Sequence, residues 1–237
     1  MARKYLAFDI ETAVDVPGAD FNWRPRRPLG ITCAAALSAD AQKPIVWHGK
    51  NADGTPAARM SANEARTVVD ELVKMVADGY TLLTWNGLAF DFDVLSEESN
   101  SFEACQALAM NHVDMMFHVF CDRGFRVALE KAAEALKIAG KPAGISGELA
   151  PQLWAQGRHQ EVIDYVSQDV RMSLQVAQAC ENNRCFKWIT RKGSASSMNL
   201  SRGWLTVTAA LRLPEPDVSW MDNPASRREF MQGWTKR

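Results

Sequence analysis

The strongest constraint on the fold is an apolar segment near the amino terminus that carries two carboxylates. Residues 5–10 read Tyr-Leu-Ala-Phe-Asp-Ile, a run typical of a buried β-strand. Asp9 and Glu11 lie two residues apart at its carboxyl end, so both side chains point to the same face. The sequence therefore predicts a core strand that ends in a site built on acidic groups.

The pattern of the first half predicts a mixed sheet. Further strands are expected at residues 31–37 and 44–47, joined as a hairpin, and at residues 80–85. Ser61 and Glu64 have the spacing of a capping box, and apolar residues at helical intervals follow until Gly79. Strand, helix and strand in this order imply a parallel crossover. We predict an α/β fold in which an antiparallel hairpin and parallel strands are flanked by helices.

The second half is predicted to be mostly helical. Helices are expected at residues 92–98, 102–110, 115–121, 127–138, 149–155 and 159–180, with loops at 13–30 and 140–147. Beyond residue 184, Gly, Pro and Trp interrupt the pattern and only residues 204–211 look regular. We therefore predict one domain over residues 1–183 and a basic, Trp-rich extension over residues 184–237 that packs on the same domain.

Composition excludes several classes of protein. With 237 residues, of which 47% are apolar, the chain can bury a sizeable core. No signal peptide or membrane-spanning run is apparent, so we expect a cytoplasmic protein without membrane association. The five cysteines are odd in number and lack metal-ligand spacing, which favours reduced, buried thiols.

The net charge of −1 hides an asymmetry along the chain. Residues 1–183 carry 17 basic and 24 acidic residues, whereas residues 184–237 carry ten basic and four acidic residues. A basic segment attached to an acidic one suits a protein that holds metal ions with carboxylates and attracts phosphates nearby. From charge alone, the alternative that the basic extension is an ordinary solvated surface stays open.

Two further carboxylates and a phenol follow predicted elements. Asp91 comes just after the strand at residues 80–85 and the Asn86-Gly87 turn. Asp169 lies one helical turn after Tyr165, so the phenol and the carboxylate share a face. Hard oxygen ligands suit two Mg²⁺ or Mn²⁺ ions, which cleave phosphodiesters together. A tyrosine hydroxyl in this position can orient the attacking water.

Three strings carry a family resemblance: residues 8–12 (Phe-Asp-Ile-Glu-Thr), 86–91 (Asn-Gly-Leu-Ala-Phe-Asp) and 165–169 (Tyr-Val-Ser-Gln-Asp). They resemble the ExoI, ExoII and ExoIII motifs of the DEDD superfamily of 3′-to-5′ exonucleases, in the DnaQ-like, ribonuclease H-like group. The tyrosine indicates the DEDDy branch. The motif sequences are most similar to those of the exonuclease domains of family B DNA polymerases and their stand-alone relatives. The resemblance covers residues 1–183.

The resemblance implies a role for each matching residue. Four carboxylates would be metal ligands and catalytic residues: Asp9, Glu11, Asp91 and Asp169. Tyr165 would be the catalytic residue that orients water. Thr12 and Asn86 match positions that contact the terminal nucleotide.

Three arginines are further candidates for substrate binding. Arg24, Arg26 and Arg27 lie in the loop that follows the first acidic strand. The alternative is a solvated connection that Pro25 and Pro28 stiffen.

Other conspicuous residues have structural interpretations. We interpret Asp93 as a charge in the first turn of a helix, Asp164 as helix surface and Asp114 as a helix cap. Basic residues are interleaved with tryptophans in the extension, which is also typical of single-strand binding. Docking onto the core is the preferred interpretation for most of those tryptophans: Trp188, Trp204, Trp220 and Trp234.

Together these features predict a two-metal 3′-5′ exonuclease that hydrolyses single-stranded DNA ends to nucleoside 5′-monophosphates. A replication or repair protein is a possible partner. Two alternatives stay open: an exoribonuclease of the same fold, and a non-catalytic nucleic-acid-binding module that serves a polymerase or recombination partner.

Overall fold

A five-stranded mixed sheet forms the centre of the molecule, in a computed structural model that describes residues 3–16, 23–140 and 147–235. The strand order is β3-β2-β1-β4-β5. The first three strands pair antiparallel, and β4 and β5 run parallel to β1. The strands are β1 (Tyr5–Thr12), β2 (Ile31–Ser38), β3 (Ile45–His48), β4 (Thr81–Thr84) and β5 (Val113–Asp114). The predicted mixed sheet is thus confirmed; parts of the predicted loops at 13–30 and 140–147 lie outside the described residues.

Helices follow each other through most of the remaining chain: α1 (Ala62–Ala77), α2 (Asp91–Glu98), α3 (Phe102–Asn111), α4 (Met115–Arg123), α5 (Leu129–Leu136), α6 (Ala150–Ala155), α7 (His159–Asn183), α8 (Val207–Ala210) and α9 (Arg227–Phe230). The predicted capping box is confirmed, because Ser61 and Glu64 each accept a hydrogen bond from the other's backbone N–H. Gly79 follows α1 with a φ of 93°, the left-handed conformation that glycine adopts readily. Within the described residues, no helix has the length and apolarity to cross a membrane.

The sheet separates two hydrophobic clusters, and the alternation along β1 decides which side chain enters which cluster. Leu6, Phe8 and Ile10 pack into the cluster that contains α1, α2 and α3. Tyr5 and Ala7 enter the opposite cluster, which contains most buried residues of α7. Because residues of the same parity share a face, Asp9 and Glu11 point to the α7 side of the sheet.

The extension contains regular structure that the sequence analysis missed. A β-hairpin, β6 (Cys185–Ile189) and β7 (Ala195–Asn199), pairs antiparallel directly after α7. The expectation of irregular chain here was therefore wrong. β6 carried a weak signal in its alternation of buried Phe186 and Trp188 with exposed Lys187, but Met198 is the only large apolar residue of β7.

Two tryptophans of the extension dock onto the rest of the molecule. Trp204 is fully buried and donates from Nε1 to the carbonyl of Ala177 on α7. Trp234 is also buried and donates from Nε1 to the carbonyl of Leu88. The division of the chain at residue 183 stays a prediction.

Candidate active site

The first acidic pair lies where β1 ends against β2. Asp9 is half-buried and Glu11 is buried, both beneath α7. The pairing of β1 with β2 shifts register between Glu11 and Thr12, so a β-bulge ends the ladder beside the carboxylates. Bulges at strand ends often re-aim side chains at a site.

Asp91 reaches the pair from the other face of the sheet. It begins α2, is 2% exposed and accepts a hydrogen bond from the backbone N–H of Ile10 at 3.2 Å. Its carboxyl group also shares a hydrogen bond with that of Asp9. Asp91 therefore lies directly against Asp9 and the end of β1.

A tight turn positions Asp91. Asn86 has a φ of 75°, and its carbonyl accepts hydrogen bonds from the backbone N–H groups of Ala89 and Phe90. A Cβ atom at Gly87 would lie 2.4 Å from Oγ1 of Thr84, so only glycine fits this approach. The turn therefore accounts for the glycine of the second motif and favours the asparagine before it.

Asp114 holds the same turn from β5. Its carboxylate accepts from the backbone N–H of Phe117, which confirms the predicted helix cap of α4. It also accepts from the backbone N–H groups of Asn86 and Leu88, both at 3.0 Å. The sequence analysis did not foresee this second role, because it depends on the pairing of β4 with β5.

The third motif is carried by α7. Tyr165 and Asp169 lie four residues apart on this helix, and both side chains are buried. The hydroxyl group of Tyr165 lies 3.8 Å from where a Cβ atom of Gly147 would be. Since α7 packs on β1 and β2, the phenol and the carboxylate are brought to the face that carries Asp9 and Glu11.

Three of the predicted carboxylates converge. Asp9, Glu11 and Asp169 each offer one oxygen, and these oxygens lie within 4.8 Å of one another. Burial, followed by the charges of the neighbouring carboxylates, raises the pKa of Asp9 well above its ordinary value. Burial also raises the pKa of Asp91 to about 7. Carboxylates that repel each other at this separation form a donor set that fits divalent cations with a preference for oxygen, such as Mg²⁺ or Mn²⁺.

The carboxylates open into a cleft of about 1660 Å³. Thr12 and Asn86, the predicted contacts of a terminal nucleotide, also line this cleft, as does Tyr165. The β6–β7 hairpin and residues 220–223 also contribute to the lining of the cleft. The sequence analysis missed this contribution, and its only signal was the interleaving of tryptophans with basic residues.

The three arginines lie elsewhere. Arg24 and Arg27 sit over the ring of Trp23, each 4.6 Å from its centroid, and form ion pairs with buried Asp93. Arg26 is exposed and donates to the carbonyl of Asp15. None of these three arginines is among the described residues that line the cleft. Their contact with a substrate stays a prediction.

Asp93 is more deeply buried than expected for a charge in the first turn of a helix. It lies in the first turn of α2 as expected, but its side chain is 1% exposed and paired with two arginines. A Cβ atom at Gly233 would lie 2.2 Å from Oδ2 of Asp93, so the end of the chain passes directly over this carboxylate. Asp164, in contrast, accepts from Gln160 at the exposed surface of α7, as predicted.

Comparison with known proteins places this arrangement in a family. The family model RNase_H_2, of the RNase_H superfamily, matches residues 45–180. This match contains Asp91, Tyr165 and Asp169, and Asp9 and Glu11 precede it. No curated protein matches the chain.

Among solved structures, the chain is similar to a family B DNA polymerase from the archaeon Pyrobaculum calidifontis, with a TM-score of 0.52 and 19% identity over 76% of this chain. It is also similar to two complexes of E. coli exonuclease I. One holds a dA16 oligonucleotide (TM-score 0.43, 15% identity, 76% of this chain), and the other is the zinc-bound complex with single-stranded DNA (0.40, 17% and 77%). The chain spans 25% of the polymerase chain and 41% of each of these exonuclease chains.

The likeness to the polymerase shows a shared fold, and the family match covers more than half of the sequence. The recognition of a DnaQ-like, ribonuclease H-like chain from its motifs is confirmed at this level. The mixed sheet, the converging carboxylates and the family match lead to one conclusion: the chain belongs to the RNase H superfamily.

Proposed function

We propose that this chain is a 3′-5′ exonuclease that depends on two divalent cations and releases nucleoside 5′-monophosphates from single-stranded DNA. The observation that carries the proposal is the convergence of Asp9, Glu11 and Asp169 within 4.8 Å at the edge of an accessible cleft. Tyr165 beside this cluster supports the DEDDy branch, and the motif wording supports DNA as the substrate.

Each residue has a distinct task in this proposal. Asp9, Glu11 and Asp169 would hold the cations, and Asp91, which lies against Asp9, would complete the set. When bound, two such cations neutralise charge on the phosphate and activate an attacking water. The Tyr165 hydroxyl would orient that water in line with the leaving oxygen. Water adds to phosphorus, the bond to the 3′ oxygen of the preceding nucleotide breaks, and that oxygen takes up a proton.

The cleft favours an extended single strand. A volume of about 1660 Å³ exceeds what one nucleotide needs, and the cleft continues from the carboxylates to the hairpin of the extension. Thr12 and Asn86 line it beside the acidic cluster, where a terminal nucleotide would lie. These positions support a chain end as the reacting part of the substrate.

The test is hydrolysis of a single-stranded DNA oligonucleotide with Mn²⁺. A 5′ label should appear in a ladder of progressively shorter products, whereas a 3′-terminal label should be released at once as a mononucleotide. The Tyr165→Phe variant should keep its fold, because the ring still packs, and should lose about 100-fold or more in kcat because the water is no longer oriented. RNA of the same sequence, tested in parallel, decides between the two substrates.

Three results would contradict parts of the proposal. A folded protein that binds Mn²⁺ but releases no mononucleotide would exclude the exonuclease and leave a binding module. Faster release from RNA would assign the exoribonuclease alternative. Normal kcat in Tyr165→Phe would remove the phenol from the mechanism.

A further inference from the structure

Phe125 and the extension contribute a row of aromatic rings to the lining of the cleft, here called the aromatic wall: Phe125, Trp188 and Trp220. The ring centroids of Phe125 and Trp220 are 6.2 Å apart, and those of Phe125 and Trp188 are 6.0 Å apart. Trp220 is 67% exposed, more than any other large apolar side chain of the described chain. An exposed tryptophan inside a substrate-sized cleft costs solvation free energy and indicates a binding surface.

An ordered turn holds Trp220 in this position. The backbone N–H of Met221 donates to the carbonyl of Val218, and that of Ser219 donates to the carboxylate of Asp217. Val218 packs against Gly124, where a Cβ atom would lie 2.3 Å from Cγ1 of Val218. The indole therefore projects into the cleft because the turn before it is fixed.

The hairpin places two cations beside the aromatic wall. Arg191 and Lys192, here called the basic tip, occupy the turn between β6 and β7 and are exposed to the cleft. Neither forms an ion pair with a described residue. Gly193 has a φ of 76°, and two backbone hydrogen bonds shape this turn: the N–H of Thr190 donates to the carbonyl of Ser194, and the N–H of Gly193 donates to the carbonyl of Thr190.

The other charged residues that line the cleft away from the predicted metal ligands are either paired cations or acidic groups. Two basic residues lie in ion pairs, Arg126 with Glu229 and Lys131 with Glu134. Three acidic residues also line the cleft: Glu130, Glu148 and Asp222. The basic tip therefore supplies the cations best able to meet a phosphate backbone on this side.

We propose that the aromatic wall and the basic tip bind the part of the single strand that lies on the 5′ side of the scissile phosphate. Bases would stack on Trp220 and Phe125, and Arg191 and Lys192 would contact the backbone phosphates. The proposal rests on the proposed function, since it assumes that the 3′ end lies at the carboxylates. Faces of aromatic rings accept any base, so this wall gives affinity for a strand without reading its sequence.

Equilibrium binding tests the wall independently of hydrolysis. An oligothymidylate of about 12 nucleotides with a 5′ fluorophore is titrated in EDTA, with fluorescence anisotropy as the readout. Loss of stacking on one ring corresponds to roughly 5- to 150-fold in affinity, so Trp220→Ala should raise Kd by a factor in this range. Trp220→Phe keeps an aromatic face and should restore most of the affinity. An unchanged Kd in Trp220→Ala overturns the proposal.

Salt dependence tests the basic tip. For single strands, the slope of log Kd against log salt changes by about 0.7 for each phosphate contact. The Arg191→Ala/Lys192→Ala variant should therefore lower the slope by about 1.4. A matched control, Lys43→Ala/Arg212→Ala, removes two exposed positive charges that do not line the cleft and should leave the slope unchanged. Equal slopes in the tip variant and the wild type would contradict the role of the tip.

Three further results distinguish this inference from the proposed function on which it rests and from a contact between protein copies. Binding that depends on Trp220 without any hydrolysis in Mn²⁺ would contradict the exonuclease and retain the wall. The p-nitrophenyl ester of thymidine 5′-monophosphate has no 5′ strand, so Trp220→Ala should lower kcat/KM for an oligothymidylate much more than kcat/KM for this ester. If Trp220→Ala instead changes the oligomeric state in light scattering and leaves Kd unchanged, the patch is a contact between protein copies and the proposal is wrong.

Discussion

Individual carboxylates of the candidate site are stabilised by some neighbours and opposed by others. Asp91 accepts a backbone N–H group and shares a hydrogen bond with Asp9, which offsets part of its burial. Asp9, by contrast, faces the carboxylates of Asp91, Asp169 and Glu11, all of which disfavour its charged form. The repulsion that disfavours the charged form of Asp9 would be relieved by bound cations.

This balance predicts opposite effects of Asp9→Asn on stability and on activity. In EDTA the variant should melt no lower than wild type, because the amide removes a source of repulsion and keeps nearly the same shape. Mn²⁺ at about 100 times its Kd should stabilise wild type by about 2.7 kcal/mol, or roughly 5–10 °C in Tm. The variant should lose most of this shift. Its hydrolysis rate should fall by a factor on the order of 1000 or more. Thermal melts with and without Mn²⁺ measure the first effect. An equal Mn²⁺ shift in both proteins would exclude Asp9 as a ligand.

Arg24 and Arg27 show how burial changes the meaning of a residue type. Their positions after the first acidic strand suggested contact with phosphate, but both pair with Asp93, which is almost fully buried. A buried carboxylate without partners is costly, so these arginines have a structural task whatever else they contact. Arg26, which lies between them, is the exposed one.

Among the elements, the turn between β4 and α2 depends on contacts from three directions. The hydroxyl of Thr84 accepts from the backbone N–H of Gly87 and lies 2.9 Å from Nε2 of His112. Nδ1 of His112 lies 2.7 Å from the carbonyl of Ala109, so a neutral ring with its proton on Nδ1 satisfies both contacts. Asp114 holds the other side of the turn.

We expect Gly87→Ala to disturb this turn. The added Cβ atom would meet Thr84 at 2.4 Å, which should cost about 1–3 kcal/mol of stability and displace Asp91. Hydrolysis should fall together with stability, since the second motif moves. Gly140→Ala is the matched control, because a Cβ atom there meets nothing within 4 Å. Urea unfolding and hydrolysis assays on both variants measure the difference; normal activity in Gly87→Ala would show that the turn tolerates the shift.

At the scale of the whole molecule, two buried histidines make the stability of the fold depend on pH. His112 and His118 are both buried, and burial lowers the pKa of each to about 4. His118 accepts from the backbone N–H of Leu205 in the extension, so its neutral form helps to dock that segment. In the unfolded chain both rings titrate near pH 6.5.

Acid should therefore weaken the fold through these rings. Between about pH 6.5 and pH 4 the unfolded state binds more protons than the folded state, so stability falls as pH falls. The expected loss between pH 7.5 and pH 5 is about 2 kcal/mol for each histidine. Asp9 and Asp91 have the opposite effect: their pKa values are raised, so their contribution to stability increases as pH falls.

The difference between wild type and His118→Gln isolates one ring, since the carboxylates are common to both. Urea unfolding at pH 7.5 and pH 5 should show a smaller acid loss in the variant. An equal loss in both proteins would exclude His118 as a source of acid sensitivity.

Sequence patterns predicted the elements in which local signals are strong. The capping box and helical periodicity of α1, the apolar strand β1 and the cap at Asp114 were all found. The β6–β7 hairpin and the two-residue strand β5 were not found, because their pairing depends on α7 and β4 rather than on their own residues. Likewise, the docking interpretation fits Trp188, Trp204 and Trp234, whereas Trp220 remains exposed.

The sequence by itself determined which side chains share an element and a face. Alternation along β1 joins Asp9 to Glu11, and the helical period joins Tyr165 to Asp169. Only the tertiary structure decided that oxygens of Asp9, Glu11 and Asp169 meet within 4.8 Å. It also decided that Asp93 forms ion pairs with two arginines and that Trp220 faces the cleft. The physical reason is that each of these arrangements depends on contacts between residues distant in the chain, and local periodicity carries no information about such contacts.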